Sequence, residues 1–394
     1  MKRILMALAI LALLVYSCEK DPKIEPGLSD NETETAFADD VIPGVYIVQL
    51  DGGITALKSA VADESGRKAV VSAEASRVLQ RSGVDGKAPT RVYGSAFKGF
   101  SVSLSKEEAT ALEKQPGVKG VWEDRVVTLK KPGTLPSDPP VQSVPYGITR
   151  VGSITYTGSN VAWIIDTGID LDHPDLNVDV SKSRTFVIRT TTADDENGHG
   201  SHCAGIVAAI DNEEGVVGVA AGATVVAVKV LNRRGSGTMT DIIAGVDYVA
   251  ANAQPGDAAN LSLGGSVYDP IDEAVINLGA SGVFVALAAG NESDDANNHS
   301  PARANGTNLY TISAMDVNDN FAYFSNYGNP PVDYCAPGVS VLSTYKKGGY
   351  ATMSGTSMAA PHVCGLLLAT DGNLSSDGFV NGDPDGEPDP IAHN

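Results

Sequence analysis

Beyond residue 160 the chain carries five short apolar runs without polar alternation, at 161–165, 224–231, 259–263, 283–289 and 309–314. Strands of a parallel sheet read this way, because helices cover both of their faces. Stretches with helical spacing separate the runs. The pattern predicts an α/β fold with a doubly wound, mostly parallel sheet over residues 142–372. Before residue 130 the order differs: strand 45–50, helix 60–82, strands 90–93 and 99–104, helix 106–115, strand 118–129. That order predicts a small α+β domain over 44–129. Ser105 ahead of Lys106-Glu107-Glu108 is a helix cap, and Pro116-Gly117 ends that helix.

Between the two regions, residues 130–141 contain Pro132, Gly133, Pro136, Pro139 and Pro140, a composition that resists regular structure and exposes backbone. It is the expected linker. At the other end, Lys2-Arg3 precedes an apolar run at 4–15, which matches an export signal (residues 1–17) and falls short of the ~20 residues of a membrane span. Residues 18–43 are polar and aperiodic and are expected to be a disordered tether. Residues 373–394 are expected to form an extended acidic tail; the spacing in Asp383-Pro384-Asp385-Gly386-Glu387-Pro388-Asp389 does not fit an EF-hand loop.

Composition narrows the class further. With 394 residues, 42% hydrophobic, and 42 glycines, the chain is globular rather than fibrous or disordered. Its formal charge of −20 sits almost wholly beyond Lys130. A surface of that sign repels phosphate backbones, so nucleic acid is excluded as a partner and cations are admitted.

Three segments place reactive side chains at the edges of buried elements. Asp166 follows the first apolar run, so its carboxylate is expected at the carboxyl end of a central strand. His199 lies between Gly198 and Gly200 at the mouth of a helix. Ser357 opens a helix after Gly355, where the N-terminal dipole favours a developing anion. An acid, a base and a nucleophile in the chain order Asp, His, Ser differ from the orders of chymotrypsin and the α/β-hydrolases and agree with that of subtilisin.

The matching stretches are Asp166-Thr167-Gly168-Ile169-Asp170, Asn197-Gly198-His199-Gly200-Ser201-His202-Cys203-Ala204-Gly205, Ser262-Leu263-Gly264-Gly265, Ala288-Ala289-Gly290-Asn291 and Gly355-Thr356-Ser357-Met358-Ala359-Ala360-Pro361-His362. On these residues the chain resembles the subtilisin-like serine proteases, in their proteinase K branch. Residues 44–129 resemble the inhibitor I9 propeptide of that family. Leu14-Val15-Tyr16-Ser17-Cys18 resembles a bacterial lipobox, which implies lipid on Cys18 and a place in the cell envelope, or secretion once the propeptide is cut.

The resemblance implies a self-processing zymogen of a serine endopeptidase that works through an acyl-enzyme. Asp166 would orient His199, His199 would take the Ser357 proton, and Asn291 would join the Ser357 N–H in an oxyanion hole. Gly235-Ser236-Gly237 and Ser262-Leu263-Gly264 would flank an extended peptide. Ala288, Ala289 and Gly290 would line an uncharged pocket for apolar or aromatic P1 residues, with Ser300-Pro301-Ala302 near its floor. Asp333 would match a calcium-ligating aspartate, with carbonyls near Thr307 and Leu309. The expected partners are protein or peptide substrates, the chain's own propeptide and, through Cys18, a membrane; a monomer is expected. A His199–His202–Cys203 metal site would consume the general base. The reading left open beside the protease is a catalytically idle surface protein that binds peptides. Ser201 and Cys203 depart from the commoner threonine and valine, and the residues after Ser357 do not resemble the family's C-terminal helices.

Overall fold

The computed structural model describes residues 40–84, 86–129 and 141–394. Cys18, the tether up to residue 39 and the linker at 130–140 lie outside the described residues.

The N-terminal region is an antiparallel sheet in the order Val118–Thr128, Asp40–Leu50, Gly99–Ser103, Arg91–Tyr93. Helices Glu64–Arg81 and Lys106–Glu113 pack on it. The α+β expectation holds, with two changes. The first strand starts at Asp40, since Asp40 and Val41 pair with Val126 and Arg125, so residues 40–43 belong to the sheet and not to a tether. The predicted helix 60–82 is two helices, Gly53–Ala60 and Glu64–Arg81. The break falls at Asp63, which is extended and accepts the Gly66 N–H at 2.6 Å. Such a cap competes with helix continuation. The Ser105 cap is a full capping box with Glu108.

The C-terminal region is built on a ten-stranded sheet. Its central strands are Val332–Pro337, Leu309–Met315, Phe284–Ala288, Ala258–Leu261, Ala162–Asp166 and Thr224–Lys229, side by side and all parallel. Helices His199–Ala208 and Thr356–Thr370 contribute to the core on one face. On the other lie Met239–Asn252 and Asp269–Gly279, whose core also takes in Ile47, Phe97, Val127 and Leu129 of the N-terminal region. The two regions therefore share this cluster, while the N-terminal sheet and its helices enclose a second core of their own around Val48, Val71, Leu79, Phe100 and Leu112. No described helix is long and apolar enough to cross a membrane.

The tail is the largest departure. Residues 373–394 are no loose extension: Ser375–Phe379 and Pro390–His393 form a hairpin, and Ile391 pairs in parallel with Cys335 at the sheet edge. Val380 and Ile391 pack with Met315 and Cys335, and Asn394 N donates to Val151 O at 3.0 Å. Val380 and Ile391 bury apolar surface there, and the open strand edge supplies the pairing.

Candidate active site

Asp166 ends the strand Ala162–Asp166 and is fully buried. His199 Nδ1 lies 2.8 Å from both of its carboxylate oxygens, and the Thr167 N–H reaches Oδ1 at 2.6 Å. Burial pushes the Asp166 pKa up, and the facing His199 pulls against that shift. Gly200 lets the histidine helix come this close, since a Cβ there would lie 2.1 Å from Gly168 O. Lys229, buried behind the pair, donates to Thr167 O.

Asp195 is a site residue that sequence reasoning missed. Its Oδ1 accepts from Thr167 Oγ1, Asn197 N and Gly198 N, each at 2.9 Å, and its Oδ2 accepts from Ser201 N at 3.0 Å and Ser201 Oγ at 2.7 Å. One carboxylate thus ties the turn after Asp166 to the turn before His199. An acid four residues ahead of the histidine was the available signal. Ser201 Oγ also accepts from Asp170 N at 2.9 Å, so the hydroxyl is the part that this position uses, and serine supplies it as threonine would.

Ser357 opens the helix Thr356–Thr370 and is buried. Pro361, inside that helix, has no N–H to offer the Ser357 carbonyl four residues back. That carbonyl accepts instead from Ser262 Oγ at 2.7 Å and from Cys203 Sγ at 3.5 Å. Ser357 Oγ donates to Ser262 O at 3.4 Å. Cys203 Sγ is also 4.0 Å from His199 Nδ1, so the acid–base pair and Ser357 occupy one corner of the molecule. Asn291 Oδ1 accepts from Thr356 N at 2.8 Å and Thr356 Oγ1 at 3.1 Å, which turns the amide so that Nδ2 is its outer end.

Cys203, Cys335 and Cys364 are free thiols, all buried. His202 is directed away from the site, its Nε2 at 3.1 Å from Val341 O and 3.0 Å from Ala351 O. Among the described residues, Asp166, His199 and Cys203 bring His, Cys and carboxylate ligand atoms together as a metal site would. A metal there would occupy the nitrogen that faces Asp166.

The groove is defined by a polypeptide strand. Val118–Thr128 pairs antiparallel with Ser236–Thr238, in the register Ser236 with Thr128 and Gly237 with Val127. Leu129 N donates to Gly235 O at 2.8 Å, and Thr128 Oγ1 donates to Ser236 Oγ at 3.0 Å. The predicted edge Gly235-Ser236-Gly237 is therefore filled by the chain's own N-terminal region. Gly265 pairs with Ser300, which brings the segment after Ser262-Leu263-Gly264 against Ser300-Pro301. Ala288 ends its strand, and Gly290 N donates to Thr356 Oγ1 at 3.1 Å. The predicted lining is uncharged, but Glu292 sits beside it, its Oε2 accepting from Asn291 N and Asn326 Nδ2 at 2.8 Å each. Asp272 lies behind Ser300 and is paired with Arg303 at 2.6 Å. Asp333 Oδ2 accepts from Thr311 N at 2.8 Å.

Carboxylates secure the N-terminal region elsewhere. Asp247, on Met239–Asn252, accepts from the backbone of Gly94, Ser95, Ala96 and Phe97, at 2.6 Å for Ser95 and 2.8 Å for Ala96. Arg91 pairs with Asp241, and Asp124 Oδ1 accepts from Thr240 N at 3.0 Å.

A strand-end acid facing a helix-mouth histidine, a helix-opening serine beside them and a peptide edge alongside describe a serine hydrolase of polypeptides. Comparison with known proteins agrees. Residues 158–371 match the subtilase family and residues 45–130 the peptidase inhibitor I9 family. Proteinase R of Parengyodontium album is 36% identical over 72% of this chain and 72% of its own length. An alkaline protease of Alkalihalobacillus alcalophilus is 41% identical over 68% and 67%. The solved structure of a cold adapted subtilisin-like serine proteinase superposes with a TM-score of 0.54 at 34% identity, covering 63% of this chain and 97% of that one. The chain belongs to the subtilase family: it is a subtilisin-like serine endopeptidase that carries an I9 propeptide.

Proposed function

We propose that the enzyme is an exported zymogen that cuts its own linker and then hydrolyses extended polypeptides, with Asp166, His199, Ser357 and Asn291 as its catalytic group. His199, its Nδ1–H held by Asp166, takes the Ser357 proton as Ser357 attacks the scissile carbonyl. The Ser357 N–H and Asn291 Nδ2 hold the resulting oxyanion. Collapse breaks the scissile C–N bond as His199 passes the proton taken from Ser357 to the leaving amine, and the resulting acyl-enzyme is then hydrolysed by water. The observation that carries this reading is the propeptide strand on Ser236–Thr238, which runs as a bound peptide would and leads from Leu129 into the linker. The uncharged lining at Ala288, Ala289 and Gly290 favours apolar or aromatic P1 residues.

Asp333, with Oδ1 left over from its bond to Thr311 N, together with carbonyls near Thr307 and Leu309, suits one oxygen-ligated calcium of structural use. Lipid on Cys18 would sit on the propeptide side of the cut, so processing would free the catalytic region from the envelope membrane. A mature enzyme that still partitions with membranes after propeptide loss refutes that step.

Intact mass of the wild type and Ser357→Ala, both made without the first eighteen residues, tests the main reading. The wild type is expected to split between Leu129 and Gln142 while the variant stays whole. If both stay whole although folded, the triad assignment fails.

A further inference from the structure

The acidic loop of the C-terminal hairpin has no part in the chemistry above. Asp389, at its end, is 0% exposed. Its Oδ2 accepts from Ser313 Oγ, and its Oδ1, although buried, makes no hydrogen bond. Asn329, on the loop before Val332–Pro337, spends its Nδ2 on the Glu387 carbonyl at 2.8 Å and leaves its own buried Oδ1 without a donor. The same amide lies near enough to Asp389 to favour its ionisation. Asp383 closes the group, its Oδ2 accepting from Asp389 N at 3.2 Å. Beyond burial, the carboxylates of Asp389 and Asp385 raise Asp383, to about 7, and those of Asp385 and Asp333 raise Asp389, to about 6. Two buried acceptor oxygens without donors, in a segment rich in carboxylates, are costly in a folded chain unless a cation joins them.

We propose that Asp383, Asp389 and Asn329 Oδ1 hold a hard divalent cation, calcium by preference, at the seam between the C-terminal hairpin and the sheet edge. The donors are all oxygens, two carboxylates and an amide, and the exposed Asp385 side of the loop leaves room for water ligands. An irregular oxygen shell completed by water suits calcium better than the strict octahedron of magnesium. The ion would fasten Pro390–His393 to Val332–Pro337. This site is separate from the one suggested for Asp333, and it does not depend on the catalytic assignment.

The test uses full-length Ser357→Ala, which does not digest itself, with Asp333→Asn added so that the other suggested site is silent. After chelator treatment, calcium binding is followed by calorimetry and by thermal unfolding. One calcium is expected to bind and to raise the midpoint. Adding Asp383→Asn is expected to weaken binding at least tenfold and to abolish the rise. Asp383 carries the test because it is partly exposed, whereas Asp389→Asn puts the fold itself at risk. Absence of binding up to about 10 mM calcium, above the range of weak extracellular modules, overturns the proposal. So does binding that Asp383→Asn leaves unchanged.

Discussion

Asp247 is the strongest handle on how the propeptide is held. Its carboxylate Oδ1 takes the N–H groups of Ser95, Ala96 and Gly94 at 2.6, 2.8 and 3.1 Å, so one side chain of the catalytic region fixes a whole turn of the propeptide. Asp247→Asn keeps an oxygen in place and removes the charge. A bond to a charged acceptor contributes about 1 kcal/mol more than a neutral one. Three such bonds predict a loss of about 2–3 kcal/mol, or roughly 30–150-fold weaker retention of the cut propeptide. Asp247→Ala removes the acceptor altogether and leaves those N–H groups facing an apolar gap, which is expected to cost at least tenfold more. Two assays read this. In the active enzyme, the lag between linker cleavage and appearance of activity on a small peptide shortens in proportion. In the Ser357→Ala background, amide hydrogen exchange at residues 94–97 accelerates while exchange in the central strands does not. If both variants keep the parent's lag and its protection at 94–97 to within twofold, the Asp247 contact has no share in retention and the reasoning is wrong.

Other expectations concern the oxyanion, pH and the tail. Asn291→Ala is expected to lower kcat by ~10²–10³ with little change in KM, as measured on a peptide ester; an unchanged kcat removes Asn291 from the catalytic group. Burial pushes Asp241, at the propeptide contact, from the ordinary 3.8 up to about 6, and Asp124 is raised for the same reason. A carboxyl so raised binds its proton more tightly in the folded chain than in the unfolded one. Its contribution to stability is therefore full below about pH 4 and is lost as pH rises to about 6. The denaturant midpoint of Ser357→Ala should fall across that window, and Asp241→Asn should flatten the change; a profile that Asp241→Asn leaves unaltered refutes this. Ile391→Ala, at a 1% exposed position of the tail strand, is expected to cost about 2–5 kcal/mol in denaturant unfolding of Ser357→Ala. A cost under ~0.5 kcal/mol, the level of a surface change, would mean that the tail is only laid against the sheet.

What the sequence displayed and what it hid have physical reasons. The central strands were legible because a parallel strand covered on both faces must be apolar throughout, as Ala162–Asp166 and Phe284–Ala288 are. The strand-end place of Asp166 and the helix-opening place of Ser357 followed from those strands and from the glycines beside them. Asp195 was not legible, since its meaning lies in partners 28 residues before it and six after it, Thr167 and Ser201. Asp247 looks in sequence like a solvent-facing acid on a helix; only the arrival of residues 94–97 turns it inward. Glu292 escaped notice because it lies just past the stretch expected to line the pocket. The tail was misjudged because acidic composition outweighed Val380 and Ile391 until the open edge at Cys335 was there to receive them.

That edge has a wider bearing on how copies of the enzyme coexist. Without the hairpin, the sheet would end at Val332–Pro337, whose unpaired N–H and C=O groups would border buried Val332, Cys335 and Ala336. Such an edge invites a strand from a neighbouring chain. With the hairpin in place the outermost strand is Ser375–Phe379, five exposed residues that include Asp377 and Gly378. It is short, polar and charged, features that discourage further strand addition. The chain thus closes this edge of the ten-stranded sheet with its own hairpin, while Ser236–Thr238, which takes a strand of the N-terminal region, belongs to a different sheet.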